Sequence, residues 1–146
     1  MSKRVERATE IFGPHLCNCS QAIAVAFADS VGFNEDCAMN AARGFGGGIG
    51  RHGKTCGAVT GAVMVLGIHA AQVSSDEKQA KSKAYELSQE FFRRFTTRHG
   101  TIECRDLIGL DLSTEEGRKL NDEKKVTRTL CPNFVQSAAE LVEELI

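Results

Sequence analysis

An all-α fold, a single compact bundle of about six to eight helices in one domain over residues 1–146, is predicted by three features of this chain. Apolar residues recur at helical spacing and nowhere alternate as a strand would. Capping residues precede most of these runs and glycines follow them. Residues 55–75 carry no formal charge and read as one central buried helix behind a glycine-rich loop. With 42% hydrophobic and 25% charged residues, the composition is that of an ordinary globular domain. A chain of this length buries roughly 68–70% of its unfolded surface, so it needs neither disulfide nor metal merely to fold.

Val5, Ala8, Ile11 and Phe12 mark a first short helix that Gly13-Pro14 stops. Asn18, with Gln21 three residues on, caps a second helix whose inner face is Ala22, Ile23, Ala26, Phe27 and Val31, and Gly32 ends it. Asn34 caps a third, through Cys37 and Met39 to Arg43. The loop at residues 44–53 holds six glycines, and the charge-free helix follows from about Thr55 to Val73. Ser74 with Glu77 is expected to cap a long helix with the stripe Ala80, Ala84, Leu87, Phe91 and Phe95, ending at Gly100. Thr101 caps a short turn through Cys104 to Ile108, and Ser113 with Glu116 opens a polar helix to about Lys125. Cys131-Pro132 is expected to start the last helix, because proline is favoured at the first helical position.

The charge-free segment is long enough to cross a bilayer. Its Gly57, Thr60, Gly61, Gly67, His69 and Gln72 and its many Ala and Val residues make insertion weak, so no membrane insertion is expected. The charged N-terminal decapeptide has no apolar signal core, which points to a cytoplasmic location where thiols stay reduced. A net charge of -1 gives no field that recruits nucleic acid, and Arg93, Arg94 and Arg98 lack interleaved aromatics.

Six cysteines are therefore the informative residues. On the predicted helices Cys19, Cys56, Cys104 and Cys131 each fall at a helix start, where unpaired N–H groups and the helix dipole favour thiolate by about 0.3–1 kcal/mol, and up to ~2 when partly buried. Four such ends converging on a cation would make a joint site. The intervals of 37, 48 and 27 residues leave the fold, not a local knuckle, to unite them. Taken singly, each is as readily a buried apolar thiol. Cys37, inside a helix, keeps that reading, and Cys17 is a spare ligand or resolving thiol.

Cys56-Gly57-Ala58-Val59-Thr60-Gly61 resembles the CGAxxG signature of the C-GCAxxG-C-C family, to which a redox role is assigned. Asn18-Cys19-Ser20-Gln21-Ala22 resembles its first cysteine, residues 44–50 its glycine segment, Cys104-Arg105-Asp106-Leu107 its third cysteine and Cys131-Pro132 its fourth. The resemblance implies four shared cysteines and a redox role in bacteria or archaea, often near transporter genes. A similar domain accompanies the haem domain of split-Soret cytochrome, where an iron–sulfur cluster is assigned to it. Cys17 and Cys37 depart from the pattern and leave room for another ligand choice or for thiol exchange.

Three functions stay open. The first is an electron carrier whose [2Fe–2S] or [4Fe–4S] cluster is held by Cys19, Cys56, Cys104 and Cys131, with the backbone of Gly47, Gly48 and Gly57 approaching the sulfurs and a redox protein as partner. The second is a thiol–disulfide oxidoreductase in which Cys56 attacks a protein or small-molecule disulfide, although no Cys-x-x-Cys exists. The third is a zinc-binding structural module. Whether the chain catalyses a reaction and whether it forms a homo-oligomer are not legible.

Gly48-Ile-Gly-Arg-His-Gly53-Lys54-Thr55 matches the phosphate-loop pattern G-x-x-x-x-G-K-T, yet no apolar strand precedes it. Its cations Arg51 and Lys54, with Arg43, are expected either to balance thiolate charge or to stay solvated. His15, His52, His69 and His99 form no metal motif, and His52 alone stands near the glycine loop. Glu115-Glu116 and Glu143-Glu144 do not share a helix face and read as solvated charge.

Overall fold

The Ser2 hydroxyl accepts from the Val5 N–H and opens helix α1, Lys3–Phe12, in a computed structural model that describes residues 1–14 and 17–146. Asn18 and Gln21 form the expected capping box before α2, Cys19–Ala28, which runs through a 3-10 turn at Asp29–Val31 to Gly32. The other helices are α3 (Glu35–Ala42), α4 (Gly57–Gln72), α5 (Glu77–His99), α6 (Cys104–Ile108), α7 (Glu115–Lys124) and α8 (Val126–Leu145). Among the described residues the only pairing of extended backbone is one isolated bridge, so the all-α expectation holds with eight α-helices. No helix is long and apolar enough to cross a membrane.

Helices α2 and α4 pack on each other at the centre, with α3 and α1 against α2, and α5 and α8 against α4. Ile23, Phe27, Leu66, Phe91, Phe95, Val135 and Leu141 fill the space between them and are fully buried. The two central backbones come unusually close. A Cβ at Gly61 would stand 2.7 Å from the Ser20 carbonyl oxygen, and one at Gly57 would stand 3.0 Å from the Ser20 amide nitrogen. These glycines are thus the residues on which α2 rests. On the far side, Arg94 bridges Glu90 of α5 and Glu144 of α8, and Arg98 reaches Glu140.

Several boundaries differ from expectation. The long helix is capped by Asp76, which accepts from the Gln79 N–H, while Ser75 rather than Ser74 binds the Gln79 side chain. A carboxylate at the positive helix end forms the stronger, charge-assisted bond. Glu103 occupies the cap position of α6 while Thr101 accepts from its N–H, and Thr114 rather than Ser113 caps α7. The last helix starts at Val126, so Cys131 and Pro132 lie in its interior. Lys125, at φ 53°, joins α7 to α8 through a left-handed kink, and the Asn121 side chain accepts from the Thr127 N–H across it. That turn starts the helix upstream of the proline.

The central helix is also not buried all round. Val63, Met64, Gly67 and Ile68 are half-buried and, with Phe33 and Ala41, line an apolar groove of about 480 Å³ between α2, α3 and α4.

Candidate functional site

Thr55 and Glu103 pair in the one antiparallel bridge, and that rung sets two cysteines side by side. The Cys56 N–H donates to the Ile102 carbonyl at 2.7 Å, and the Cys104 N–H donates to the Lys54 carbonyl at 2.6 Å. Cys56 is the N-cap of α4 and Cys104 the first residue of α6. Cys19 is the first residue of α2, and the Gly57 contact seats it against the start of α4: a Cβ at Gly57 would stand 3.1 Å from the Cys19 Cβ. Asn18 fixes the same corner to the glycine loop by donating to the Arg43 carbonyl at 2.8 Å. Cys131 reaches the site from the second turn of α8.

All four sulfur-bearing residues line one cavity of about 550 Å³, together with Cys17, the Gly46, Gly47 and Gly48 backbone, Gly57, Arg43 and Arg51. Phe12, Leu107, Ile108, Leu112 and Phe134 make its apolar wall, and Asn121 and Thr127 its polar one. No motif announced those wall residues. Gly48, at φ 71°, is buried where a Cβ would stand 2.7 Å from the Cys104 Cβ, so only glycine fits. The N–H groups of Gly47 and Gly48 have no acceptor among the described residues, which leaves orphaned donors along the cavity wall.

Burial dominates the thiol chemistry. The Ala58 and Val59 amides at the α4 N-terminus favour the Cys56 thiolate, yet desolvation outweighs them and pushes its pKa up to about 12. Burial, with the Cys131 and Glu103 charges adding to it, raises Cys104 to about 11. Cys19 and Cys131 are hydrogen-bond partners: Cys19 keeps its proton and is raised well above the usual range by that bond first and by burial second. The same bond lowers Cys131, against the opposing effect of burial. The expectation of four helix starts holding four thiolates is therefore corrected twice. Cys131 is not at a helix start, and the N-terminal amides at Cys56 do not overcome its desolvation.

Among the described residues no three His, Cys, Asp or Glu side chains group so as to hold one metal ion. A single tetrahedral zinc needs its four sulfurs gathered at about 2.3 Å from one point, and no such grouping is present among the described residues. Thiolate ligands in such numbers are the donor type that iron–sulfur clusters take, and Cys19, Cys56, Cys104 and Cys131, with Cys17 as a fifth thiol, supply that type here.

Of the remaining cysteine and histidine candidates Cys17 shares the cavity wall, and the other described ones do not line it. Cys37 is exposed on α3, and the half-buried Cys17 places its sulfur 3.8 Å from that of Met39. His52 is exposed, with Nδ1 3.4 Å from the Gly50 carbonyl, and His15 lies outside the described residues. His99 packs against Phe95 and edge-on to Phe134. The phosphate-loop match forms no cradle, because the N–H groups of Gly50, Arg51, Gly53 and Lys54 are spent on the carbonyls of Gly44, Gly46, Gly47 and Gly48. Glu143 accepts from the Ser2 hydroxyl and Glu144 pairs with Arg94, so these carboxylates tie α8 to the start of α1 and to α5, while Glu90 is held by Arg93 and Arg94 within α5.

A family model described as "Putative redox-active protein (C_GCAxxG_C_C)" matches residues 17–145. A protein of Archaeoglobus fulgidus, called "Uncharacterized protein", is 30% identical over 110 residues, covering 70% of this chain and 72% of that one. No solved structure matches.

Proposed function

This chain belongs to the C_GCAxxG_C_C family, and on that premise we propose that Cys19, Cys56, Cys104 and Cys131 hold a [2Fe–2S] or [4Fe–4S] cluster for one-electron transfer. The observation that carries the proposal is the meeting, in one cavity, of Cys19, Cys56, Cys104 and Cys131 from the starts or interiors of four different helices, with Cys17 beside them. When bound, such a cluster supplies a one-electron couple whose potential depends on hydrogen bonds to its sulfurs and on solvent access. The residues of this chain would do the rest. The four cysteines bind, the Gly47 and Gly48 amides find acceptors, and Phe12, Leu112 and Phe134 limit the water at the site.

The test is anaerobic purification followed by iron and acid-labile sulfide analysis and an optical spectrum. The chain has no Trp and one Tyr, so little absorbance at 280 nm competes with a chromophore. Broad absorbance between roughly 300 and 500 nm with stoichiometric iron and sulfide is expected. A colourless protein without iron overturns the reading.

One observation favours a second reading, thiol–disulfide exchange. The hydrogen-bonded pair Cys19 and Cys131 is a candidate dithiol, with Cys131 the better nucleophile. Cys56, named from sequence as the attacking thiol, is poorly suited, because burial holds it protonated. Exchange would appear as two fast-reacting thiols in a colourless protein.

A further inference from the structure

One stretch of chain that lines the sulfur cavity carries one sign of charge. Residues 37–75 contain Arg43, Arg51 and Lys54 but no Asp or Glu, and all three cations are exposed. Arg43 and Arg51 line the cavity itself. Six other arginines are paired, Arg4 with Asp29, Arg7 with Glu35, Arg93 and Arg94 with Glu90, Arg98 with Glu140 and Arg105 with Asp111, whereas Arg118 and Arg128 have no carboxylate at ion-pair distance among the described residues. Arg43, Arg51 and Lys54 have no carboxylate at ion-pair distance among the described residues. The carboxylate that stands close by is Glu103, across the Thr55 rung and acting on Cys104. Against a net charge of -1, the cations form a local patch, not a consequence of overall charge.

A second, independent feature stands within that patch. Residues 47–51 all have φ between 57° and 71°, and the middle one is Ile49, 43% exposed. Left-handed backbone is disfavoured for an L-residue, most of all for a β-branched one. Gly at position 49 would relieve the strain, and a polar residue would suit the water. The Ile49 backbone is tied into the loop by its N–H donating to the Phe45 carbonyl, while its branched apolar side chain faces water. An exposed apolar side chain on strained backbone suits a contact made with another molecule.

We propose that residues 43–54 are the docking surface for a small acidic electron-carrier protein, whose carboxylates meet Arg43, Arg51 and Lys54 around Ile49. The proposal rests on the electron-transfer reading of the cavity. A small apolar centre ringed by charge, steering a transient partner to the wall nearest the redox group, is how weak redox encounters are built. A nucleic acid fits less well, because three cations without an exposed aromatic platform give it nothing to stack on.

The test measures binding, not electron flow, so it is separable from the cluster reading. The anaerobically purified protein is titrated by calorimetry with an oxidised acidic flavodoxin, with basic cytochrome c and with a single-stranded oligonucleotide, at low and high salt. Binding of the flavodoxin alone is expected, weakening steeply as salt rises. Arg43→Glu with Arg51→Glu should weaken it by about tenfold or more. Ile49→Gly should weaken it several-fold while leaving thermal stability unchanged or raised, a combination that a purely structural role for Ile49 does not give. Lys78→Glu, at the start of α5 and thus beyond the end of α4 opposite Cys56, should leave binding as it is. Absence of flavodoxin binding, equal binding of cytochrome c, preference for the oligonucleotide, or indifference to the arginine reversals overturns the proposal. A colourless protein that still docks flavodoxin sinks the cluster and spares the surface, and a cluster-bearing protein that fails to dock does the reverse.

Discussion

Thr55 and Glu103 face each other across a single antiparallel rung, the one place among the described residues where extended backbone pairs. That rung lies immediately before both Cys56 and Cys104, so two thiols 48 residues apart in sequence are set by backbone hydrogen bonds of 2.7 and 2.6 Å. The geometry makes the cysteines separable by experiment.

Cys56→Ser or Cys104→Ser should each cut bound iron to a small fraction of the parent, whereas Cys37→Ser, exposed on α3, should leave iron and spectrum unchanged. Iron retained in full after loss of Cys56 and Cys104 together would remove them from the ligand set.

The glycines of α4 should respond oppositely to the same change. Gly61→Ala sets a Cβ against the Ser20 carbonyl at 2.7 Å and should cost about 1–3 kcal/mol in urea unfolding. Gly67→Ala, with nothing within 4 Å of the new atom, should stabilise by up to about 1 kcal/mol. Both are interior positions of one helix, so the difference isolates packing from propensity.

Pro132 lies inside α8, where it gives the Arg128 carbonyl no intrahelical N–H. Pro132→Ala should raise stability by about 1–3 kcal/mol, read as a shift of the urea midpoint at constant slope.

Glu90 is held down to about 2, from an ordinary 4.5, first by its hydrogen bonds from Arg93 and then by those from Arg94. A depressed carboxyl stabilises the fold above its unfolded value and loses that contribution as pH falls from 4.5 toward 2. Glu90 is solvated, so the effect is small. The stability difference between parent and Glu90→Gln should be constant above pH 4.5 and close toward zero near 2. A difference that persists to the acid limit would show another cause.

Much of the fold was legible because its punctuation is local. Asn18 with Gln21, Gly32 at φ 64° and Gly100 at φ 84° act through neighbours a few residues away, and the structure uses each as expected. Cys131-Pro132 misled because proline is favoured at a helix start, and the turn before it, Val-Thr-Arg-Thr-Leu, is rich in β-branched residues that do not advertise a helix. Asp76 displaced Ser74 because several competent caps lie within three residues and local sequence does not rank them. At Cys56 the sequence carried the sign of the amide effect but not the depth of burial, and burial decided the outcome. Asn121, Thr127 and Phe134 became cavity walls through packing between distant helices, which no motif encodes.

The contact of Ser20 with Gly57 and Gly61 puts main chain against main chain, with no side chain interposed. The separation between Cys19 and Cys56 is therefore insulated from exchanges among Ile23, Phe27, Val59 and Leu66 that would repack the interior. The molecule can change its oil and keep its ruler: the gap between those two sulfur-bearing turns is written into peptide units, and only a new methyl group at either glycine would rewrite it.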